Sequence, residues 1–279
     1  MKIRFKNPLL LAPMLEPNDI AFRLLCKKAG AGGVYTGMIN PLSKKKLFLD
    51  DKPILQIFCN KKEGIKDFIK KYDKKVSGWD FNLGCPSNVA EKLKFGAYLE
   101  DLGIIEEILK ELRKYTKKFL SVKIRKSEHS FSILKIAEKY CDALIIHPRT
   151  KEQGYSGKAD LDFALQIKRT SKIPIIYSGD VSEKNAIELS KKFDFVMIGR
   201  AAIGNPNIFA VLTSSKRRFF FNDYIKLAKN YKLPFSQIKF QALNFTKGTK
   251  NATKIRAEII KAKNIEAIEK IYSFNKLFK

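Results

Sequence analysis

Eight short apolar runs alternate with longer amphipathic stretches over the first three quarters of the chain. The runs, rich in β-branched residues, occupy positions 9–12, 33–36, 54–58, 79–82, 119–124, 143–147, 174–178 and 195–198. Stretches with a helical period lie between most of them, at 20–29, 64–72, 104–115, 132–140, 162–170 and 183–192. Strands joined by helical crossovers pair in parallel, and near-continuous apolar strands favour a sheet covered on both faces. The pattern predicts an α/β fold, a (β/α)8 TIM barrel, with a doubly wound open sheet as the alternative.

The alternation stops near position 213, and positions 223–279 show only helical periodicity. Residues 213–279 hold sixteen Lys/Arg and four Asp/Glu, while the whole 279-residue chain has a net charge of +27. Charge density is therefore more than twice as high in this tail as in the preceding 212 residues. We expect a barrel domain at 1–212 and a small basic helical domain at 213–279. Such an excess favours a polyanionic partner, nucleic acid before a membrane surface, although lysine-rich composition alone is the alternative.

Features of secretion and of membrane insertion are missing from the sequence. No apolar run reaches the roughly 18–20 residues of a membrane span. The first residues, MKIRFK, lead into the first strand without the apolar stretch and cleavage site of a signal peptide. We therefore expect a cytoplasmic protein with no membrane partner, and a monomer. The four cysteines form no C-x-x-C pair and there is no histidine cluster, so no metal site is expected.

Polar or glycine-rich residues mark seven of the eight predicted strand ends. The active site of a TIM barrel lies at the carboxyl ends of its strands. In chain order, these ends carry Ala12, Pro13 and Met14; Gln56; Asn82 to Cys85; Lys123 and Arg125; His147 and Arg149; Ser178, Gly179 and Asp180; and Gly199 and Arg200. One such residue is as well explained by a structural role. Seven ends in register predict a functional site at the barrel mouth.

Glycines at the ends of strands seven and eight predict a phosphate site. Loops at these positions commonly bind phosphate in this fold, and Gly179 and Gly199 let backbone N–H groups approach closely. Arg200 adds positive charge, and a helix beginning near Ala201 would present its N-terminus. The alternative is two tight turns that need glycine. With Lys123 across the mouth, the set indicates a phosphate-bearing cofactor such as a flavin, whose reduced, anionic ring a lysine would stabilise.

Several segments beside the strand ends form a recognisable set. They read L-A-P-M at 11–14, Q-I-F at 56–58, N-L-G-C-P at 82–86, V-K-I-R at 122–125, S-G-D at 178–180 and M-I-G-R at 197–200. The run H-P-R-T-K-E-Q-G-Y-S-G at 147–157 is the most discriminating. Together they resemble the tRNA-dihydrouridine synthase family, FMN enzymes related to dihydroorotate dehydrogenases. The resemblance spans residues 9 to about 210 and is weak in the tail, at Gln241, Phe245 and Arg256.

The resemblance implies FMN as the cofactor, NADPH or NADH as the reductant and uridine in tRNA as the substrate. By matched position, the FMN-binding residues are Ala12, Pro13, Met14, Gln56, Lys123, His147, Ser178, Gly179, Asp180, Gly199 and Arg200. Cys85 would be the general acid, and a thiol suits this role because an unperturbed thiol is mostly protonated at neutral pH. The residues expected to contact the target base are Asn82, Arg125 and Arg149. The other cysteines, Cys26, Cys59 and Cys141, are expected to be buried.

The chain departs from the family pattern at three places. Its first loop reads E-P-N-D at 16–19, Ser178 stands where the family has Asn, and Tyr98 replaces a small residue. Two other functions remain open at this point. A flavin barrel acting on a small molecule such as dihydroorotate would share the cofactor residues but leaves the charge unexplained. A non-catalytic RNA-binding barrel is opposed by the intact Cys85, Lys123 and His147.

Overall fold

A computed structural model describes residues 5–275 and residue 277 of the chain. Residues 1–4, which the signal-peptide argument used, lie outside the described part, as do residues 276, 278 and 279 of the predicted tail domain.

Eight parallel strands form the centre of the molecule. They are β1 (Leu9–Leu11), β2 (Gly33–Val34), β3 (Ile54–Ile57), β4 (Gly78–Leu83), β5 (Phe119–Arg125), β6 (Ala143–His147), β7 (Ile175–Ser178) and β8 (Phe195–Ile198). Neighbours in sequence pair with each other except for β2 and β3, and β1 also pairs with β8. Bridges from Tyr35 to Ile54 and from Ile39 to Ile57 join the residues after β2 to β3. The sheet therefore closes on itself, which confirms the TIM barrel and rules out the open sheet.

Helices surround this barrel, and most lie where the periodicity placed them. They are α1 (Ile20–Ala29), α2 (Ile65–Tyr72), α3 (Asn88–Leu93), α4 (Leu102–Tyr115), α5 (Ser130–Tyr140), α6 (Leu161–Thr170), α7 (Ala186–Lys192) and α8 (Asn207–Leu212). The connection from β2 to β3 contains no helix among these described residues. It crosses instead as an irregular segment between residues 35 and 53.

The predicted helix near Ala201 is wrong. Residues 200–204 form turns, and α8 begins only at Asn207. Gly204 explains the turn, because its φ of +69° is a left-handed conformation that favours glycine. A Cβ there would also lie 2.1 Å from the carbonyl oxygen of Asn244, so the two backbones touch. The phosphate site therefore gains no helix N-terminus after β8.

In the described part of the tail, four further helices follow the barrel: α9 (Phe221–Asn230), α10 (Phe235–Phe245), α11 (Ala252–Lys261) and α12 (Ile265–Phe274). The ring of Phe221 stacks on Tyr272 with centroids 4.1 Å apart, which ties α9 to α12. Helix α9 packs against α1, and buried residues of the tail join the same apolar cluster as the barrel helices. Among the described residues, no helix has both the length and the apolar character needed to cross a membrane.

The barrel interior is filled in layers because alternate strand residues point inward. At the amino end, the ring of Phe5 lies edge-on to Phe119 and Phe195, with centroids 5.3 and 5.1 Å away. Above it lies an apolar cluster that includes Leu10, Ile145, Ile176 and Met197. At the carboxyl end the same inward positions carry polar residues, glycine or the small side chain of Ala12. This layer holds Ala12, Gln56, Asn82, Lys123, His147, Ser178 and Gly199.

Candidate active site

Two adjoining cavities at the carboxyl end of the barrel collect the predicted residues. The larger, about 420 Å³, is lined by Pro13, Met14, Gln56, Asn82, Cys85, Lys123, Arg125, His147 and Arg200. The smaller, about 90 Å³, adds Ala12, Ser178, Gly179, Asp180 and Gly199 and shares Lys123, His147 and Arg200 with the first. Every predicted site residue except Arg149 therefore lines one cavity or both. The structure thus brings together the residues that the strand-end argument selected.

Arg149 is the exception, because its side chain is buried beneath the loops and is only 1% exposed. Its guanidinium donates to the carbonyl oxygens of Ser156 at 3.1 Å and Gly157 at 2.7 Å, and forms an ion pair with Asp180 at 2.5 Å. These contacts brace the loop after β6 against the loop after β7. The structure does not bring Arg149 to the cavity as a base-binding residue.

His147 is held neutral in the cavity wall. Burial lowers its pKa far below the usual range, and the positive charges of Lys123, Arg125 and Arg149 act in the same direction. Its Nε2 lies 3.3 Å from an arginine nitrogen, Nη1 of Arg149, which can only donate. Nε2 must therefore accept, and the single ring proton sits on Nδ1. This tautomer leaves Nδ1–H as the imidazole's donor.

Lys123 places a positive charge, with a lowered pKa, at the mouth of the barrel. Burial, reinforced by the neighbouring Arg125, lowers the pKa of Lys123 to about 8, although the carboxylate of Asp80 opposes the shift. The ammonium group is therefore mostly charged at neutral pH. A cation in this position would stabilise negative charge on a flat cofactor lying over the strand ends.

The predicted phosphate cradle fits in its backbone but differs in its charges. A Cβ on Gly199 would project to 3.5 Å from the Cβ of Ala12, filling the space beside β1. Arg200, however, donates to Asp180 at 2.8 Å. Burial raises the pKa of Asp180, but Arg149, Ala159 N–H and Arg200 outweigh burial and hold it below the usual value. A phosphate here would thus share Arg200 with an ionised Asp180, and glycine at 199 leaves room for it.

Cys85 lies on the loop after β4 and is the half-buried cysteine that lines the larger cavity. Its backbone N–H donates to Oδ1 of Asn82 at 3.0 Å, and its Sγ lies 3.4 Å from the hydroxyl of Ser87. The remaining cysteines, Cys26, Cys59 and Cys141, are buried as predicted. Burial raises the pKa of each of these three thiols, to about 12 for Cys59. Only Cys85 combines a thiol with access to the cavity.

Arg125 links the loop after β4 to the loop after β6. Its guanidinium donates to the carbonyl oxygens of Gly84 at 2.8 Å, Thr150 at 3.0 Å and Gly154 at 2.7 Å. It also lies over the ring of Tyr155, 5.4 Å from the centroid. Arg125 lines the larger cavity, as predicted, and at the same time fixes the loop that precedes Cys85.

Two residues of the site received no role from the sequence. Tyr155 lies within the most discriminating motif, lines both cavities and is 61% exposed, with the Arg200 guanidinium 5.1 Å from its ring centre. Asp80 lies one inward position below Asn82 and is completely buried. Position in the motif was the available signal for Tyr155. For Asp80 the signal was a carboxylate between two large apolar residues, Trp79 and Phe81, in the middle of a buried strand.

The fold and the site define a class: a TIM-barrel protein whose mouth combines cationic side chains and glycine backbone with a thiol at its edge. A family model described as dihydrouridine synthase (Dus) matches residues 10–272. The chain belongs to this family. Membership implies a flavin cofactor and makes the protein a flavin-dependent oxidoreductase, so the small-molecule alternative is not favoured.

Individual relatives carry the same description. The chain is 28% identical to a probable tRNA-dihydrouridine synthase of Aquifex aeolicus over 95% of both chains. It is 33% identical to a probable tRNA-dihydrouridine synthase of Helicobacter pylori, over 75% of this chain and 71% of that protein. An old yellow enzyme homologue from Zymomonas mobilis superposes with a TM-score of 0.51 at 12% identity, covering 83% of this chain and 92% of the other. The last similarity supports the barrel fold alone.

Proposed function

We propose that this protein reduces uridines in tRNA to 5,6-dihydrouridine, with FMN as the flavin and NADPH or NADH as the reductant. One observation carries the proposal: the accessible thiol of Cys85 and the cationic Lys123 line the same open cavity at the strand ends. The names of the relatives support tRNA as the substrate. The glycine cradle and the neutral His147 support FMN.

The residues divide the chemistry between two sides of the cavity. A bound flavin supplies the hydride that reaches carbon 6 of the uracil ring. Cys85 holds the proton that carbon 5 requires, and Asn82 holds the backbone of its loop in place. Lys123 provides positive charge toward the cofactor, while Nδ1–H of His147 and the Gln56 amide offer hydrogen bonds. Transfer of a proton from Cys85 to carbon 5 is therefore the step in which a side chain of the protein itself is the reacting group.

The uracil must leave its stack to enter the cavity, since a base inside folded RNA is inaccessible. We propose that residues 213–279 form a basic helical domain that binds the tRNA backbone while the base is held. The support is the charge of this segment, sixteen Lys/Arg against four Asp/Glu. Gln56, Asn82 and Arg125 border the cavity where the base would be held. We propose in addition that the enzyme acts in the cytoplasm, where it would meet its tRNA substrate.

The decisive test is to map dihydrouridine in tRNA from cells with and without the gene, and then to reduce the unmodified tRNA with purified protein, FMN and NADPH. We expect dihydrouridine to disappear from at least one tRNA position in the deletion strain and to return on treatment in vitro. Unchanged tRNA in the deletion strain, together with no uridine reduction by flavin-loaded protein, would refute the proposal.

A further inference from the structure

A buried carboxyl group lies directly beneath the proposed active site. Asp80 is in the middle of β4 and is 0% exposed. Burial raises its pKa to about 7, against hydrogen bonds from Ser121 and Gln56 and the charge of Lys123. A buried polar group is costly unless it is hydrogen-bonded, so the contacts of Asp80 indicate what it is for.

Those contacts start a chain of side-chain amides that leads to the thiol loop. Oδ2 of Asp80 accepts from Nε2 of Gln56 at 2.7 Å, and Oε1 of Gln56 accepts from Nδ2 of Asn82 at 2.8 Å. Oδ1 of Asn82 then accepts the backbone N–H groups of Gly84 and Cys85, both at 3.0 Å. Three successive hydrogen bonds thus connect Asp80, in the barrel interior, to the backbone N–H of Cys85.

The polarity of this chain is determined at both ends. The carboxylate of Asp80 can only accept, so it requires the NH₂ group of Gln56 and turns the Gln56 oxygen toward Asn82. The protonated form, which a pKa of about 7 also populates, keeps this arrangement when its proton is on Oδ1, where the Ser121 hydroxyl can accept it. Backbone N–H groups can only donate, so Gly84 and Cys85 require the oxygen of Asn82 and turn its NH₂ group toward Gln56. The two requirements agree. Reversing either amide would place two donors or two acceptors against each other.

We propose that Asp80 is a positioning residue for the reaction: by fixing the orientation of Gln56 and Asn82 it sets the place of Cys85 and the group that Gln56 offers to the cofactor. The proposal rests on the proposed function of Cys85. Asp80 touches neither cavity, so it acts through its neighbours.

Ser121 provides a way to separate orientation from charge. Its hydroxyl donates to the second oxygen of Asp80 at 2.6 Å, but a hydroxyl can also accept. In Asp80→Asn, the new NH₂ group therefore turns to Ser121, and the remaining oxygen still accepts from Gln56. Asp80→Leu removes the acceptor altogether. The double variant Asp80→Asn/Ser121→Ala lacks the Ser121 hydroxyl, so nothing holds the asparagine NH₂ group there and keeps the asparagine oxygen toward Gln56.

The experiment uses the full-length protein loaded with FMN and measures two half-reactions, reduction by NADPH and reoxidation by unmodified tRNA. Misplacing a reacting group by about 1 Å costs about 10²-fold in rate. We expect Asp80→Leu and the double variant to lose about 10²-fold in the tRNA half-reaction. Asp80→Asn and Ser121→Ala should stay within several-fold of wild type. If Asp80→Leu fails to fold, the double variant, which changes side-chain volume less, provides the test.

A second readout is independent of the substrate: the rate at which iodoacetamide alkylates Cys85, followed by mass spectrometry of the flavin-loaded protein. We expect Asp80→Leu and the double variant to change this rate several-fold, while Asp80→Asn and Ser121→Ala match wild type. An Asp80→Asn variant as impaired as Asp80→Leu would overturn the proposal. The reaction would then depend on the charge of Asp80 and not on the orientation of the Gln56 and Asn82 amides. Wild-type alkylation in the double variant would overturn the proposal as well. Failure of wild type to reduce any uridine would refute the proposed function and leave the alkylation test intact.

Discussion

The four cysteines differ in access, and access decides which of them has a chemical role. Cys26 lies on the buried face of α1, whereas Cys85 lies on a loop that lines the cavity. Removing a general acid lowers a rate by about 10²–10⁴. We predict that Cys85→Ala loses uridine reduction by this factor but keeps FMN and its reduction by NADPH, as measured by flavin absorbance and dihydrouridine analysis. Cys26→Ala is the control and should change stability only; normal turnover in Cys85→Ala would exclude the assigned role.

Asp80 makes the stability of the protein depend on pH in an identifiable way. Its pKa of about 7 in the folded protein lies above the value of about 3.9 for an unfolded chain. Between these values the folded state binds more protons, so the contribution of Asp80 to stability decreases as the pH rises through this window. Above about pH 7 it changes no further.

The side chain of Asp80→Asn does not titrate. We therefore predict that the stability of this variant relative to wild type increases as the pH is raised from about 4 to about 7. The gain is at most about 1.4 kcal/mol per pH unit. Urea unfolding of the flavin-free proteins at several pH values measures the difference. A difference independent of pH would show that Asp80 titrates normally.

At this scale, the sequence indicated the position of a residue that ends a strand, but not the contacts of a residue whose partners are distant in sequence. Gln56, Lys123 and His147 line the cavities, as expected from the convergence of strand ends in a barrel. Asp80 was missed because a mid-strand position carries no such rule. Arg149 was assigned to the substrate because the sequence does not reveal that the loop after β6 folds over its guanidinium.

Among the helices, α10 has a role that its sequence did not indicate. Nε2 of Gln241 donates to Asp19 Oδ2 and to the carbonyl oxygen of Pro17, both at 2.8 Å. Gln237 and Tyr224 also donate to Asp19 Oδ2, at 3.0 and 3.3 Å. Burial raises the pKa of Asp19, so these donors matter for keeping its carboxylate charged. The tail thus holds the loop after β1, whose sequence differs from the family pattern.

We predict that Gln241→Ala weakens both stability and flavin retention, although Gln241 lines neither described cavity at the strand ends. The buried Asp19 would lose a partner, at a cost of about 1–3 kcal/mol. The loop that follows Met14 would then be held less firmly. Urea unfolding and FMN retention on dialysis measure the two effects. Gln166→Ala, an exposed position on α6, is the matched control, and equal behaviour of the two variants would exclude this role for α10.

Strands and helices could be predicted where their sequence signals are local, and could not be predicted where they depend on distant residues. All eight strands lie within two residues of their predicted positions, because each is a short apolar run with its own boundaries. The helix expected near Ala201 was wrong because the turn there depends on contact between Gly204 and Asn244, forty positions away. Contacts between α10 and the loop after β1 span more than 200 positions, and no local pattern encodes them.

Charge and shape combine at the scale of the whole molecule. Helix α10 ends against the turn after β8, so the segment that follows lies at the cavity end of the barrel. Lys247, Lys250 and Lys254 are exposed in this region. Arg256 also lies in this region, but its Nε donates to Thr246 at 2.8 Å, which ties α11 to the end of α10. The three lysines are therefore the ones to test for RNA contact without disturbing the fold.

The last prediction is that these lysines bind tRNA phosphates while the uridine occupies the cavity. Each phosphate contact contributes about −0.9 to the salt slope of binding on duplex and about −0.7 on single strands. If all three lysines make a contact, replacing them by Gln should flatten the slope by about 2–3 units and weaken binding. The measurement is tRNA affinity of the full-length, FMN-loaded protein at several salt concentrations.

General attraction to a protein of net charge +27 competes with this specific effect. A matched control removes the same charge elsewhere: Lys70, Lys74 and Lys75 are exposed and precede β4, at the amino end of the barrel away from the cavity. Replacing them by Gln should leave the slope nearly unchanged, because phosphates near the bound uridine do not reach that end. If the salt slope flattened equally in both triple variants, the tail lysines would add to the general positive charge without contacting tRNA phosphates. No flattening in either would move the RNA-binding surface from the tail to the barrel rim.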